Sequence, residues 1–147
     1  MTSNIEEFGV GDASYRAAGE IVGITALVDD FYQFMDSLPE AAVIRAQHPV
    51  ELDVARKKLS YFLSGWLGGP RLYSKNFGGI NIPDAHKHLP IGESERDAWM
   101  LCMEKAIAQQ PYMSGFKKYL YEQLMVPAER IRIVSERNAK ERAARGE

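Results

Sequence analysis

One helix and the signal that ends it are contained in KLSYFLSGWLGGPRLY, residues 58–73. Counting from residue 55, apolar side chains recur at steps of four, three and four: Ala55, Leu59, Phe62 and Trp66. This spacing places them on one face of a helix, which we expect to run from Glu51 to Leu67. The GGP sequence at 68–70 then ends the helix, because glycine accepts a left-handed cap and proline cannot continue the helix.

Helical periodicity extends in both directions from this stretch. Towards the N-terminus, apolar residues spaced four, three and four apart predict a helix from Gly19 to Met35: Ile24, Val28, Phe31 and Met35. Towards the C-terminus, Ser94 with an acid three residues later predicts the cap of a third helix. A fourth helix is expected from near Met113, and Pro127 should kink or break it. No convincing strand pattern and no internal repeat is found, so we expect an all-α fold.

Two segments lack this periodicity. Residues 71–92 contain several glycines and prolines and predict a long irregular loop, a feature of compact domains that is usually functional. The tail from Ser135, SERNAKERAARGE, is rich in charge and has little to bury. We expect it to be a solvated helix end or disordered.

Composition narrows the class of protein. A chain of 147 residues with 46% hydrophobic and 26% charged residues is typical of one globular domain. Its net charge of -2 gives no general attraction to nucleic acid or anionic membranes. A single cysteine excludes an intrachain disulfide, and neither a signal peptide nor a membrane-spanning run is apparent. We therefore expect a cytoplasmic protein with no nucleic-acid or membrane partner.

Few residues offer chemistry by themselves, since no nucleotide-binding glycine loop, Cys-x-x-Cys or His-Glu-x-x-His motif is present. Cys102 could pair with a histidine as a nucleophile, but its place on an apolar helix face favours a buried structural cysteine. His86 and His88 could form part of a zinc site with His48, or could be ordinary loop residues. An all-α domain with aromatic stripes and a histidine shortly before Pro90 also meets the needs of a haem pocket.

Three stretches of the sequence, in this order and spacing, resemble one protein family. They are VDDFYQFM at 28–35, KLSYFLSGWLGGPRLY at 58–73 and KHLPIGESERDAWMLCM at 87–103. In these stretches the chain is similar to the group II truncated haemoglobins, and the resemblance continues more loosely to the end. It implies a truncated globin fold, a two-over-two helical sandwich around haem b (iron protoporphyrin IX).

The resemblance also implies the organisation and partners of the protein. Residues 1–147 would form a single globin domain, with an N-terminal extension at 1–12 and a charged tail at 135–147. Its ligands would be O2, NO or related diatomic molecules, used for oxygen binding or transport, or for nitric oxide dioxygenation or peroxidase-like chemistry. Repeated turnover would need an external electron-donor reductase, because no flavin or nicotinamide domain is present. The alternative is a haemless helical regulatory or interaction module on the same scaffold.

Individual residues match positions of known role in that family. His88, in the KHLPI motif, matches the proximal ligand of the haem iron, and we expect His86 at the rim near a propionate. On the distal side, Tyr32 and Trp99 match the pocket tyrosine and tryptophan, while His48 adds a possible donor where the chain crosses the distal face. A phenol O–H and an indole N–H in a dry site would each stabilise a bound ligand by roughly 1–3 kcal/mol and slow its escape.

The remaining matches concern the walls of the pocket and the contacts with the cofactor. Ala55 and Leu59 match two apolar positions of the distal helix and offer a ligand no hydrogen bond. Lys58 and Lys87 match basic positions that pair with haem propionates, although solvated surface lysines are equally expected. Three further residues match the pocket lining: Phe62, Tyr73 and Met103.

Overall fold

We describe the fold from a computed structural model, which covers residues 7–79 and 86–146 of the chain. Its α-helices are α1 (Ala13–Ala17), α2 (Glu20–Ser37), α3 (Ala42–Ala46), α4 (Asp53–Trp66), α5 (Leu72–Phe77), α6 (Glu93–Ala108) and α7 (Ser114–Ala144). A 3-10 turn, Pro39–Ala41, precedes α3, and no strand occurs in these two ranges. The all-α prediction is thereby confirmed. None of the helices described here has the length and apolar character needed to cross a membrane.

Two pairs of helices form the body of the protein. Helix α2 packs against both α4 and α6, and α6 packs against α7. The core between them is built from fully buried side chains of α2, α6 and α7: Ile24, Leu27, Val28, Phe31, Cys102, Met103, Ala106, Phe116 and Leu120. This is the expected two-over-two arrangement, with α2 and α4 on one side and α6 and α7 on the other.

The end of α4 confirms the predicted role of the glycines that follow it. Gly68 has a φ of 93°, in the left-handed region that favours glycine. A Cβ at this position would lie 2.0 Å from the carbonyl oxygen of Gly11. Both the conformation and the available space therefore require glycine where the chain leaves α4.

Three local expectations need correction. Pro127 lies inside α7 and does not break it, because buried residues on either side, Leu124 and Ala128, hold the helix on the core. A kink at Pro127 stays a prediction. Part of the segment predicted to be irregular forms α5. Helix α6 begins at Glu93 without a serine cap, since the Gly92 amide instead donates to Glu95 Oε1 at 2.7 Å.

Candidate functional site

Four rings from three parts of the chain form a continuous cluster, which we call the ring cluster: Phe31, Tyr32, His48 and Trp99. Adjacent in α2, the rings of Phe31 and Tyr32 have centroids 5.0 Å apart. Phe31 also contacts Trp99 of α6 at 5.1 Å, and Tyr32 contacts His48 at 5.8 Å. The structure thus brings together three side chains that the sequence predicted for one pocket. Phe31, predicted only as a core residue, is the ring that joins two of them.

Burial in the ring cluster changes the pKa of the Tyr32 phenol. Its side chain is 4% exposed, and burial raises the pKa of Tyr32 to about 12, against the opposing charge of Arg56. A phenol with so high a pKa keeps its proton at neutral pH. Tyr32 therefore presents an O–H group that can donate a hydrogen bond.

His48, which follows α3, is held by a hydrogen bond to a residue of that helix. Its Nδ1 lies 2.8 Å from the carbonyl oxygen of Ile44. Since a carbonyl oxygen can only accept, Nδ1 carries the proton, and Nε2 of the neutral ring is left as an acceptor. The expectation that His48 adds a donor is therefore corrected for its neutral form.

Arg45 holds the turn that follows His48, a role with no signal in the sequence. Its two terminal nitrogens donate to the carbonyls of Pro49 and Val50, each at 2.9 Å. Its Nε donates to the carboxylate of Asp36 at the end of α2. These bonds tie the 48–50 turn to α2, so the His48 ring keeps its place beside Tyr32.

The inner face of α4 carries the apolar wall that the sequence predicted. Its residues Ala55, Leu59 and Phe62 pack against the core but are only half-buried. Within the described residues α4 packs closely on α2 and α5, not on α6 or α7. An apolar face that protein does not fully cover is suited to a large apolar group lying between the two helix pairs.

Arg56, which the sequence reading missed, is a cation beside this wall. Its Nε is buried and has no hydrogen-bond partner in the part of the chain described here. The Asp29 carboxylate oxygen is 3.8 Å away, which is too long for a hydrogen bond. Arg56 thus has a nitrogen without a hydrogen-bond partner, while its charge is loosely paired with Asp29 and with Asp53 at 4.0 Å.

The proposed proximal histidine, His88, lies in an exposed turn before α6. His88 and Lys87 are exposed in a turn, and His86 is half-buried one residue earlier. The Leu89 amide donates to the His86 carbonyl at 3.0 Å and closes this turn. The described contact between this turn and the neighbourhood of the ring cluster is made by Gln47, next to His48, which donates to the Pro90 carbonyl at 3.1 Å.

The remaining predicted cofactor contacts are found in different surroundings. Lys58 is exposed, with its Nζ 5.5 Å from the centre of the Phe77 ring. Tyr73 is half-buried and packs on the same Phe77 ring at 5.2 Å. Met103 has no exposed surface and belongs to the protein core. The cofactor contacts assigned to these residues stay predictions.

The hypotheses of a zinc site and of a nucleophilic cysteine gain no support. Among residues 7–79 and 86–146, no group of three or more His, Cys, Asp or Glu side chains could hold a metal ion, so the histidines form no zinc site. Burial raises the pKa of the Cys102 thiol to about 11, with a backbone hydrogen bond opposing it. Cys102 is fully buried and stays a thiol at neutral pH, as a structural cysteine does.

The residues present fit a haem. The group needs apolar walls, an imidazole for the iron and cations for its carboxylates. The half-buried face of α4 supplies the walls, His88 an exposed imidazole, and Arg56 an unsatisfied cationic donor.

Comparison with known proteins agrees with this reading. The bacterial-like globin family model matches residues 13–134. Group 2 truncated hemoglobin YjbI of Bacillus subtilis (strain 168) is 29% identical over 133 residues, covering 90% of this chain and 96% of that protein.

Solved structures give the same result. A group II 2-on-2 haemoglobin from the plant pathogen Agrobacterium tumefaciens superposes with a TM-score of 0.77 at 32% identity, covering 89% of this chain and 97% of that one. A truncated oxygen-avid haemoglobin from Bacillus subtilis gives a TM-score of 0.74 at 29% identity, covering 81% and 98%. The chain therefore belongs to the bacterial-like globin family, and it is a haem-binding globin whose relatives are group II truncated haemoglobins.

Proposed function

We propose that this globin holds haem b on His88 and retains O2, or another diatomic ligand such as NO, by hydrogen bonds from Tyr32 and Trp99. The observation that carries the proposal is the ring cluster, in which a buried, protonated phenol and an indole are linked through Phe31. Haem iron, when bound, supplies a coordination position at which a diatomic ligand gains partial negative charge. Donors in a buried site stabilise that charge.

Each side chain has a distinct part in this proposal. The Tyr32 O–H and the Trp99 indole N–H donate to the ligand, while Ala55 and Leu59 exclude water without offering a polar group. The His48 ring meets the Tyr32 ring edge to face, with centroids 5.8 Å apart. Because its Nδ1 proton is bonded to the Ile44 carbonyl, neutral His48 lines the site without adding a third donor.

The cofactor proposed is haem b because it is held without a covalent bond. Covalent attachment of a c-type haem uses a Cys-x-x-Cys-His motif. The chain has one cysteine, Cys102, and it is fully buried in the core of α6. Non-covalent binding then depends on apolar walls and the proximal ligand, with the propionates paired to cations such as Arg56, Lys58 or Lys87.

Slow ligand release suits redox chemistry better than oxygen delivery. Two hydrogen bonds of about 1.4 kcal/mol each would slow release about a hundredfold, since each 1.4 kcal/mol is a factor of ten. One solved relative is described as oxygen-avid, which agrees with such retention. We therefore propose either dioxygenation of NO, with O2 and NO as substrates and nitrate as product, or peroxidase-like cleavage of a peroxide, in both cases with electrons from a separate reductase.

Stopped-flow measurement of O2 dissociation from the reconstituted ferrous protein tests the proposal. Tyr32→Phe and Trp99→Phe should each release O2 about tenfold faster, because each loses one donor. Tyr119→Phe, which removes a hydroxyl from a ring packed against Phe8 and Phe116, should release O2 at the unmodified rate. Equal rates for all four proteins would contradict the proposed retention, and failure to take up haem would favour the haemless module.

A further inference from the structure

We propose that Ser135 and Asn138 of α7 are positioning residues for the proximal histidine. Ser135 bonds to the main chain after His88, and Asn138 bonds to the main chain before it. Both lie beyond residues 13–134, the part of the chain that the globin family model matches. The inference rests on the proposed function, in which His88 is the iron ligand.

Ser135 holds the chain after His88 with two hydrogen bonds. Its side chain is 3% exposed, whereas residues 139–146 of the same tail are exposed, as expected of a solvated helix end. The Ser135 Oγ accepts the amide of Ile91 at 3.0 Å and donates to the carbonyl of Leu89. One hydroxyl therefore satisfies two main-chain groups of the segment.

Asn138 holds the chain before His88. Its Nδ2 donates to the carbonyl of Lys87 at 3.0 Å. Together with Ser135, it bonds main-chain groups of residues 87, 89 and 91, which bracket the histidine. Ser135 and Asn138 are three residues apart in α7, so they share one face of that helix.

The segment depends on these partners because it cannot satisfy its own main chain. Pro90 has no amide proton and prevents a regular helix from forming through the segment. The bond from the Leu89 amide to the His86 carbonyl closes a single turn. The Leu89 carbonyl and the Ile91 amide are part-buried, where a main-chain group without a partner is costly, so the Ser135 side chain takes the place of helical hydrogen bonds.

Helix α7 is a firm support for this role. Glu129 accepts hydrogen bonds from Arg132 within α7 and from Arg96 of α6, the latter at 3.0 Å. Arg132 also donates to Glu136 at 2.8 Å, next to Ser135. The network joins α7 to α6, and α6 begins directly after the segment that carries His88. The network therefore holds α7, which carries Ser135 and Asn138, against α6, which follows His88 in the chain.

A fourth bond to this segment comes from the distal side. Gln47, adjacent to His48, donates through Nε2 to the carbonyl of Pro90 at 3.1 Å. The imidazole of His88 itself is exposed. The hydrogen bonds to the surrounding main chain, and not a contact made by its ring, therefore set the position of the imidazole.

The test compares Ser135→Ala, Asn138→Ala and the double variant with the unmodified full chain, all reconstituted with haem. Lys140→Ala, an exposed change on the same helix, is the control, and Ser135→Thr keeps the hydroxyl as a rescue. Two readouts are used: hydrogen exchange of the amides of residues 86–92, and the iron–imidazole stretching band in resonance Raman spectra of the ligand-free ferrous protein.

We expect the Ile91 amide to exchange about tenfold faster in Ser135→Ala, as loss of one buried hydrogen bond predicts. The iron–imidazole band should shift or broaden in Ser135→Ala and further in the double variant. Lys140→Ala should match the unmodified protein, and Ser135→Thr should restore both readouts. The distal hydrogen bonds should be unaffected, so O2 release should change less than in Tyr32→Phe.

Failure of this inference is distinguishable from failure of the proposed function. If exchange rises but the band is unchanged, the two residues stabilise the fold without positioning His88, and the inference is overturned. If neither readout changes while His88→Ala abolishes the band, the inference is overturned and the function stands. If His88→Ala keeps the band, the proximal assignment itself is wrong and the inference falls with it.

Discussion

The Nδ1 atom of His48 lies 2.8 Å from the carbonyl oxygen of Ile44, one turn earlier in the chain. This bond leaves Nε2 of the neutral imidazole as an acceptor. We predict that long-range 15N–1H correlation spectra show neutral His48 in the Nδ1–H tautomer. His48→Phe removes no donor to the ligand, so it should not speed O2 release, and a Nε2–H tautomer would contradict this assignment.

Cys102 should be chemically silent in the folded protein. Burial raises the pKa of its thiol to about 11, and the thiolate is the reactive form. At about pH 8 a disulfide reagent should modify native protein at least about a hundredfold more slowly than unfolded protein, since the local thiolate fraction falls tenfold for each pKa unit. Equal rates in native and urea-unfolded protein would show that Cys102 is accessible and revive the nucleophile hypothesis.

Glu129 should make the fold sensitive to acid. Hydrogen bonds from Arg132 and Arg96 lower its pKa from 4.5 to about 2. The unfolded chain then binds a proton at higher pH than the folded one, so this stabilisation is complete above about pH 4.5 and is lost as the pH falls towards about 2. The free energy of unfolding should therefore fall less between about pH 5 and 3 in Glu129→Gln than in the unmodified protein.

An exposed acid on the same helix, Glu122, provides the control for this measurement. Glu122→Gln should keep the acid sensitivity of the unmodified protein. If Glu129→Gln and Glu122→Gln lose stability equally on acidification, the network between α6 and α7 does not hold Glu129 ionised.

Two glycines should respond oppositely to the same substitution. Gly68→Ala should destabilise the protein by about 2 kcal/mol or more, because φ is 93° and the new Cβ would meet the Gly11 carbonyl at 2.0 Å. Gly115→Ala in α7 meets nothing within 4 Å and should stabilise it by about 0.5–1 kcal/mol. Urea unfolding curves of the two variants test this, and a neutral Gly68→Ala would show that α4 can end in another way.

The sequence predicted the long helices well because their signal is local. Apolar residues at steps of three and four lie on one face of a helix, and that face is buried when the helix packs on the core. Phe31 and Met103 are examples, since both are fully buried. Pro127 does not break α7, because the apolar face around it is buried on α6 and outweighs the lost hydrogen bond and the crowding of the preceding turn. The ring cluster could be anticipated from family motifs, although its linkage through Phe31 could not.

What escaped prediction depends on bonds between distant residues. Ser135 and Asn138 reach main-chain groups 44 to 51 residues away, and no local pattern marks a side chain that bonds a distant carbonyl. Arg56 was missed for a similar reason, since its unsatisfied Nε is visible only once its neighbours are placed. The tautomer of His48 likewise follows from one distance.

The visible spectrum of haem-reconstituted His88→Ala tests the central claim most directly, read beside those of the unmodified protein and His86→Ala. Our account predicts a globin-type Soret band in the unmodified protein and in His86→Ala. In His88→Ala it predicts loss of the imidazole-ligated spectrum, with imidazole added to the buffer restoring it. An unchanged spectrum in His88→Ala, or its loss in His86→Ala instead, would contradict the account.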